Sequence, residues 1–208
     1  MKKSLIILHL CFTFSLSFSQ KYIFYLHGKI VENQGEKAVD KVNGYRAYLY
    51  TAILDSLKQK NNRVISEVRA KDTNVKEYAL KVKKQIDSLL KTGIAPKNIT
   101  VIGASKGSTI AMYVSTYVKN SSVNYVFLAA CSHELSEDEK DMNCYGNILS
   151  IYEKSDGAGS CTALKKHSNG IIHYKEVEIN TGLRHGFLYK PLAEWLVPAL
   201  RWANNDYN

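Results

Sequence analysis

The stretch Ile99 to Gly107, ITVIGASKG, limits what this chain can fold into more than any other. The apolar run Ile99 to Ile102 stops at Gly103-Ala104-Ser105-Lys106-Gly107, and Ile110, Ala111, Val114, Tyr117 and Val118 then recur at helical spacing. That reads as strand, tight turn, helix. In a turn of the form Gly-x-Ser-x-Gly the serine is forced onto a sharply bent backbone. Glycines stand on both sides because a side chain there would collide with the neighbouring strand or helix. The Ser105 hydroxyl is thereby lifted above a sheet edge, at the positive end of a helix.

The rest of the chain repeats the unit. Tyr22 to Leu26 is an aromatic and β-branched run ended by His27-Gly28, and a polar loop follows through Gly44. Tyr45, Tyr48, Leu49, Ala52, Ile53 and Leu57 recur at helical spacing, which predicts a helix of about four turns ending near Lys60. Arg63 to Val68 reads as the second strand. Val75 to Leu90 is the clearest amphipathic helix, with Gly93 as its stop. Ile99 to Gly103 is the third strand and Gly107 to Val118 the third helix. Val123 to Ala130 is an unbroken apolar fourth strand of the kind a sheet covered on both faces requires. Asn147 to Tyr152 and Ile171 to Ile179 are the fifth and sixth, with a short helix over Cys161 to Lys166 between them, and Pro191 opens a last helix through Ala203. This alternation predicts an α/β fold: a doubly wound, mostly parallel sheet of about six strands with helices on both faces, taking ligands at the carboxyl ends of the strands.

Of the 208 residues, the first 19 read as a signal peptide. Lys2 and Lys3 form a basic start, Ser4 to Phe18 is apolar and almost uncharged, and Ser17-Phe18-Ser19 offers small residues at a cleavage site. The expected product is an exported single domain, residues 20–208, periplasmic or extracellular, with no membrane span left after cleavage. Loss of Lys2 and Lys3 takes the net charge from +9 to +7. The lysines are spread over several helix faces. They read first as a solvated surface, with an anionic substrate or envelope polymer as the sharper alternative. No basic stripe interleaved with aromatics argues for nucleic acid. Among Cys131, Cys144 and Cys161, an oxidising compartment favours one bridge, expected between Cys144 and Cys161, with Cys131 a buried thiol.

Every residue suited to chemistry falls just after a strand. Ser105 follows the third, Asp156 the fifth, His185 the sixth and His27-Gly28-Lys29 the first. A serine hydroxyl needs an adjacent base to attack an acyl carbon, and His185 in its glycine-flanked loop can supply one. His133, His167 and His173 read as ordinary surface or core residues. Asp156 would hold the imidazole tautomer, with Glu153 as its rival. Backbone amides of Lys106 and of Lys29 or Gly28 are the natural donors to a developing oxyanion. The Lys106 side chain is expected to point into water. No His-x-x-x-His or paired-cysteine spacing suggests a metal, the phosphate-loop spacing is absent, and no cofactor is expected.

His27-Gly28 after a first strand, Gly103 to Gly107 at an elbow, then Asp156 and His185 in that order resemble the α/β-hydrolase family. The resemblance covers nearly the whole of residues 20–208. It implies a Ser-His-Asp hydrolase with its oxyanion hole at the residues just named, acting on a small-molecule or envelope-associated ester. An amino-terminal antiparallel strand pair common in the family is not evident. Only Ser132 to Gly146 stands where many relatives insert a lid, which implies a shallow, open site and small or exposed esters. Dienelactone hydrolases place cysteine at the elbow, and Ser105 argues against that chemistry. Thioesterase and peptidase action share the mechanism. A non-catalytic binding protein for an envelope glycan or small anion is the alternative from another class.

Overall fold

The computed structural model describes residues 20–58, 61–132, 134 and 137–208. Residues 1–19, expected to be a signal peptide, and His133 lie outside the described residues. Six strands form one sheet: β1 (Lys21–Leu26), β4 (Asn62–Ile65), β5 (Ile99–Ala104), β6 (Asn124–Leu128), β7 (Tyr145–Glu153) and β8 (Gly170–Ile179). Their order is β4-β1-β5-β6-β7-β8, and every neighbouring pair is parallel. The chain leaves β1 in one direction to form β4, then crosses back over β1 to start β5. Connections therefore diverge between β1 and β5, and a crevice must open above their carboxyl ends.

Side chains alternate between the two faces of this sheet, as the strand period demands. Ile23, Tyr25, Ile102, Val126, Leu128, Leu149 and Ile151 face one apolar core, closed by α1 (Lys29–Gln34), α2 (Tyr50–Leu57) and α7 (Ala193–Ala203). Phe24, Leu26, Val101, Tyr125, Phe127 and Ile148 face the other, closed by α3 (Val75–Lys91) and α4 (Lys106–Val118). Both faces are covered, which is why the strands read as unbroken apolar runs. A short α5 (Glu137–Lys140) and α6 (Thr162–His167) complete the α-helices among the described residues. None of those helices is long and apolar enough to cross a membrane.

Three expectations need correction. The segment before α2 is not a polar loop running into a four-turn helix. It holds α1 and a two-stranded hairpin, β2 (Val39–Asp40) antiparallel to β3 (Arg46–Ala47), and the helix begins only at Tyr50. Tyr45 and Tyr48 kept helical spacing with α2 but are used elsewhere. Tyr48 is buried with its hydroxyl 2.6 Å from that of Tyr25, and Tyr45 packs against Gly186. In the last helix Leu192 is the N-cap, so Pro191 stands outside, while Pro198 lies inside α7.

The third correction is the disulfide, which joins Cys131 to Cys161 and leaves Cys144 as a buried thiol with Sγ 3.8 Å from the Met112 carbonyl. The reason is directional. In a parallel sheet Cys131, past the end of β6, and Cys161, past the end of β7, lie at the same carboxyl edge. Cys144 precedes β7 and sits at the opposite edge, about 30 Å of strand away.

Candidate active site

The elbow is built as its glycines demand. Ser105 has φ 53° and ψ −121°, a left-handed conformation that a non-glycine residue adopts only under constraint. The constraint comes from close packing on both sides. A Cβ on Gly107 would lie 1.9 Å from the Leu26 carbonyl oxygen of β1, and one on Gly103 would lie 2.4 Å from the Gly107 oxygen. The first turn of α4 is thus pressed onto two strands. Ser108 fastens it there, accepting from the Leu128 amide at 3.0 Å and donating to the Gly103 carbonyl at 2.7 Å.

His185 lies in a 3-10 helix, Arg184–Tyr189, and its Nε2 is 2.9 Å from Ser105 Oγ. Its Nδ1 is 2.7 Å from Asp156 Oδ2. A carboxylate only accepts, so Nδ1 carries the proton and Nε2 is left to accept from the serine hydroxyl. Asp156 is itself held, with Oδ1 accepting from the Gly157 amide at 2.7 Å. The Asp-Gly turn and the contact to His185 are one arrangement. The structure thus brings Ser105, His185 and Asp156 together, and Asp156 rather than Glu153 touches the imidazole.

Glu153 does something else. Its carboxylate is fully buried at the end of β7. Oε2 accepts from the Ser155 amide at 2.7 Å and hydroxyl at 2.5 Å, and Oε1 from the Thr181 and Gly182 amides, both at 3.0 Å. Burial opposes its charge, but these donors outweigh burial and hold the carboxyl below its usual range. One side chain ties the Asp156 loop to the His185 loop.

The amides expected to face an oxyanion lie at two helix starts. Lys106 and Lys29 are the first residues of α4 and α1, positions whose N–H groups have no acceptor within their own helix. The Ser105 amide is already committed to the Leu128 carbonyl at 2.9 Å. Gly28 comes close enough that a Cβ on it would lie 3.6 Å from Ser105 Cβ.

The Lys106 side chain does not point into water. Its Nζ is 2.6 Å from Glu32 Oε1 and donates to the Thr73 carbonyl at 2.8 Å. Glu32, on α1 and buried, also holds Arg69 Nε at 3.1 Å, and Arg69 Nη2 donates to the His27 carbonyl at 2.5 Å. Burial works against the Glu32 charge, and the Lys106 and Arg69 cations overcome it and keep the carboxyl below its usual range. His27 closes this network. Its Nε2 must accept from the Arg69 amide at 3.1 Å, so Nδ1 is the donor to the Gly28 carbonyl at 2.9 Å. Desolvation, then the Arg69 cation, lower its pKa from 6.5 to about 4, so it is neutral and structural. Glu32 and Arg69 carried no sequence signal beyond being charges among apolar neighbours, and only the fold pairs them. Among the described residues no group of three or more His, Cys, Asp or Glu side chains is placed to hold a metal ion.

No family model matches the sequence, and no curated protein matches it. Solved structures do match in three dimensions. Arabidopsis thaliana SOBER1 superposes over 91% of this chain and 100% of its own, with TM-score 0.59 and 13% identity. Est1E from Butyrivibrio proteoclasticus, solved with ferulic acid, covers 91% of this chain and 90% of its own, with TM-score 0.59 and 13% identity. YbtT, a type II thioesterase of the yersiniabactin pathway, covers 92% and 96%, with TM-score 0.57 and 7% identity. The chain has the α/β-hydrolase fold. In α/β-hydrolase terms its elbow follows the third strand of the parallel sheet, and the Ser, acid, His order is the one this fold uses. Identities this low speak for the fold alone.

Proposed function

We propose that this α/β-hydrolase is an exported serine hydrolase that cleaves small or exposed carboxylic esters through an acyl-enzyme. The observation that carries this is the unbroken contact chain Ser105 Oγ to His185 Nε2 to Asp156 Oδ2, at 2.9 and 2.7 Å. The thioesterase activity named for the neighbour YbtT and the esterase named in the neighbour Pf2001 of Pyrococcus furiosus support the same reaction class, and the Cys131–Cys161 bridge is compatible with an oxidising compartment.

In this mechanism Ser105 Oγ attacks the acyl carbon as its proton passes to His185 Nε2, and Asp156 stabilises the imidazolium. The carbonyl oxygen, now an oxyanion, is met by the Lys106 and Lys29 amides. His185 then gives its proton to the departing alkoxide, which leaves as the alcohol. A water, deprotonated by the same imidazole, attacks the acyl-enzyme and releases the acid with Ser105 restored. His185 retains 31% side-chain exposure against 8% for Asp156, which suits an open site reached by exposed esters.

The test is turnover of short p-nitrophenyl esters together with labelling by a fluorophosphonate. The wild type is expected to turn over and to label at Ser105. Ser105→Ala is expected to lose labelling and at least about 1000-fold in kcat/KM. A wild type that neither turns over nor labels would overturn the hydrolase reading in favour of a binding protein.

A further inference from the structure

The hairpin loop 43–46 and the segment 182–190 enclose a cleft of about 390 Å³ that flanks His185 on both sides in sequence. That volume suits a small acid rather than a long acyl chain. Its walls carry Arg46, Arg184 and Lys190, and no aspartate or glutamate lines it. Elsewhere in the chain Arg69 and Lys106 pair with Glu32, Lys83 with Asp87 and Arg201 with Asp206. None of the three cations in the cleft forms an ion pair with a described residue.

The backbone is committed to this arrangement. Arg46 and Arg184 have φ 69° and 51°, left-handed conformations unusual for arginine, one on each wall. The walls are also locked together. Tyr45 packs so closely on Gly186 that a Cβ there would lie 2.8 Å from the ring, and the Tyr45 and Tyr189 rings meet at 5.5 Å. Mutually braced loops, strained at Arg46 and Arg184, thus hold three cations without acidic partners in one cleft, whose lining includes Arg184 and Gly186, the sequence neighbours of His185.

From this cleft we infer that the preferred substrates are esters whose alcohol portion bears a carboxylate or phosphate, which Arg46, Arg184 and Lys190 receive. The inference rests on the hydrolase reading above, because that reading places the alcohol against His185. Guanidinium groups match either oxyanion in paired hydrogen bonds, and the ammonium of Lys190 adds a point charge.

The experiment compares three acetate esters that differ only beyond the phenol ring: 4-acetoxybenzoate, its neutral methyl ester, and 4-acetoxyphenyl phosphate. One or both anionic esters are expected to exceed the neutral one in kcat/KM by about tenfold, chiefly through KM, and to lose that advantage as salt rises. In the exposed variants Arg46→Gln and Lys190→Gln, with folding checked by thermal melting, the anionic-to-neutral ratio is expected to fall several-fold. Which anion is preferred identifies the group. Equal rates for all three esters, or a ratio unmoved by both variants, would overturn the inference while leaving the hydrolase reading intact. If no ester is cleaved and Ser105 is not labelled, the hydrolase reading fails. The cleft is then read by saturation-transfer NMR of 4-hydroxybenzoate with Ser105→Ala: binding lost in Arg46→Gln supports the site, and no binding rejects it.

Discussion

Glu153 shows how much one carboxylate can organise without touching a reacting atom. It was legible as an acid near Asp156 but not as a clamp, because the Thr181 and Gly182 amides it receives lie beyond β8 and reach it only through the pairing of β7 with β8. Glu153→Gln would aim an amide N–H₂ at backbone N–H groups or at the Ser155 donors. The expected cost is about 2–3 kcal/mol of stability, read from the urea midpoint. The positions of Asp156 and His185 should loosen together, so kcat is expected to fall about 10- to 100-fold with little change in KM. A purely structural role would lower stability and leave the kcat of the folded enzyme alone. Lys106 teaches a related lesson. A cation in the first turn of a helix is unfavourable to the dipole, which made solvent its expected place. Its partner Glu32 stands 74 positions away and is brought in by the adjacency of β1 and β5.

At the level of elements, the loop after β1 is the least independent part of the site. Its backbone is held through His27, Arg69 and Glu32, so the loop that carries the proposed oxyanion donors Gly28 and Lys29 depends on a neutral imidazole. The folded pKa is about 4 against an ordinary 6.5. Between these values the unfolded chain binds a proton that the folded chain does not, so stability falls as pH drops through this window and is level above it. The total is about 3 kcal/mol. Urea titrations from pH 7 to pH 4 are expected to show this decline, and His27→Gln should flatten it. A midpoint in the wild type that does not move between pH 6.5 and 4.5 would refute the assignment. The hairpin β2–β3 is the element that sequence periodicity hid. Two-residue strands leave no alternation to detect, and Tyr45 and Tyr48 mimic helical spacing while serving two different tertiary contacts.

For the molecule as a whole, the Cys131–Cys161 bridge closes a loop that contains all of β7 and Asp156. With a sequence separation of 30, the chain-entropy model assigns it about 3.5 kcal/mol. The double variant Cys131→Ser with Cys161→Ser is expected to lose about that much and to melt several degrees lower. Peptide mapping of the oxidised protein should recover the 131–161 linkage, with Cys144 alkylated only after unfolding. A linkage to Cys144 would contradict the structure.

The sequence by itself determined the strand–turn–helix elbow, the alternation that makes a parallel sheet, and the order Ser105, Asp156, His185, because each is written in local spacing or in which residue follows a strand. These are properties of neighbours along the chain, and backbone sterics and hydrophobic period decide them. Only the tertiary structure decided the partner of Lys106, the clamp at Glu153, the hairpin, the cationic cleft and the disulfide. Each of these joins groups that meet only when strands are set side by side. Cys144 and Cys161 are nearer in sequence than Cys131 and Cys161, yet strand direction puts the first pair at opposite edges of the sheet and the second at the same one.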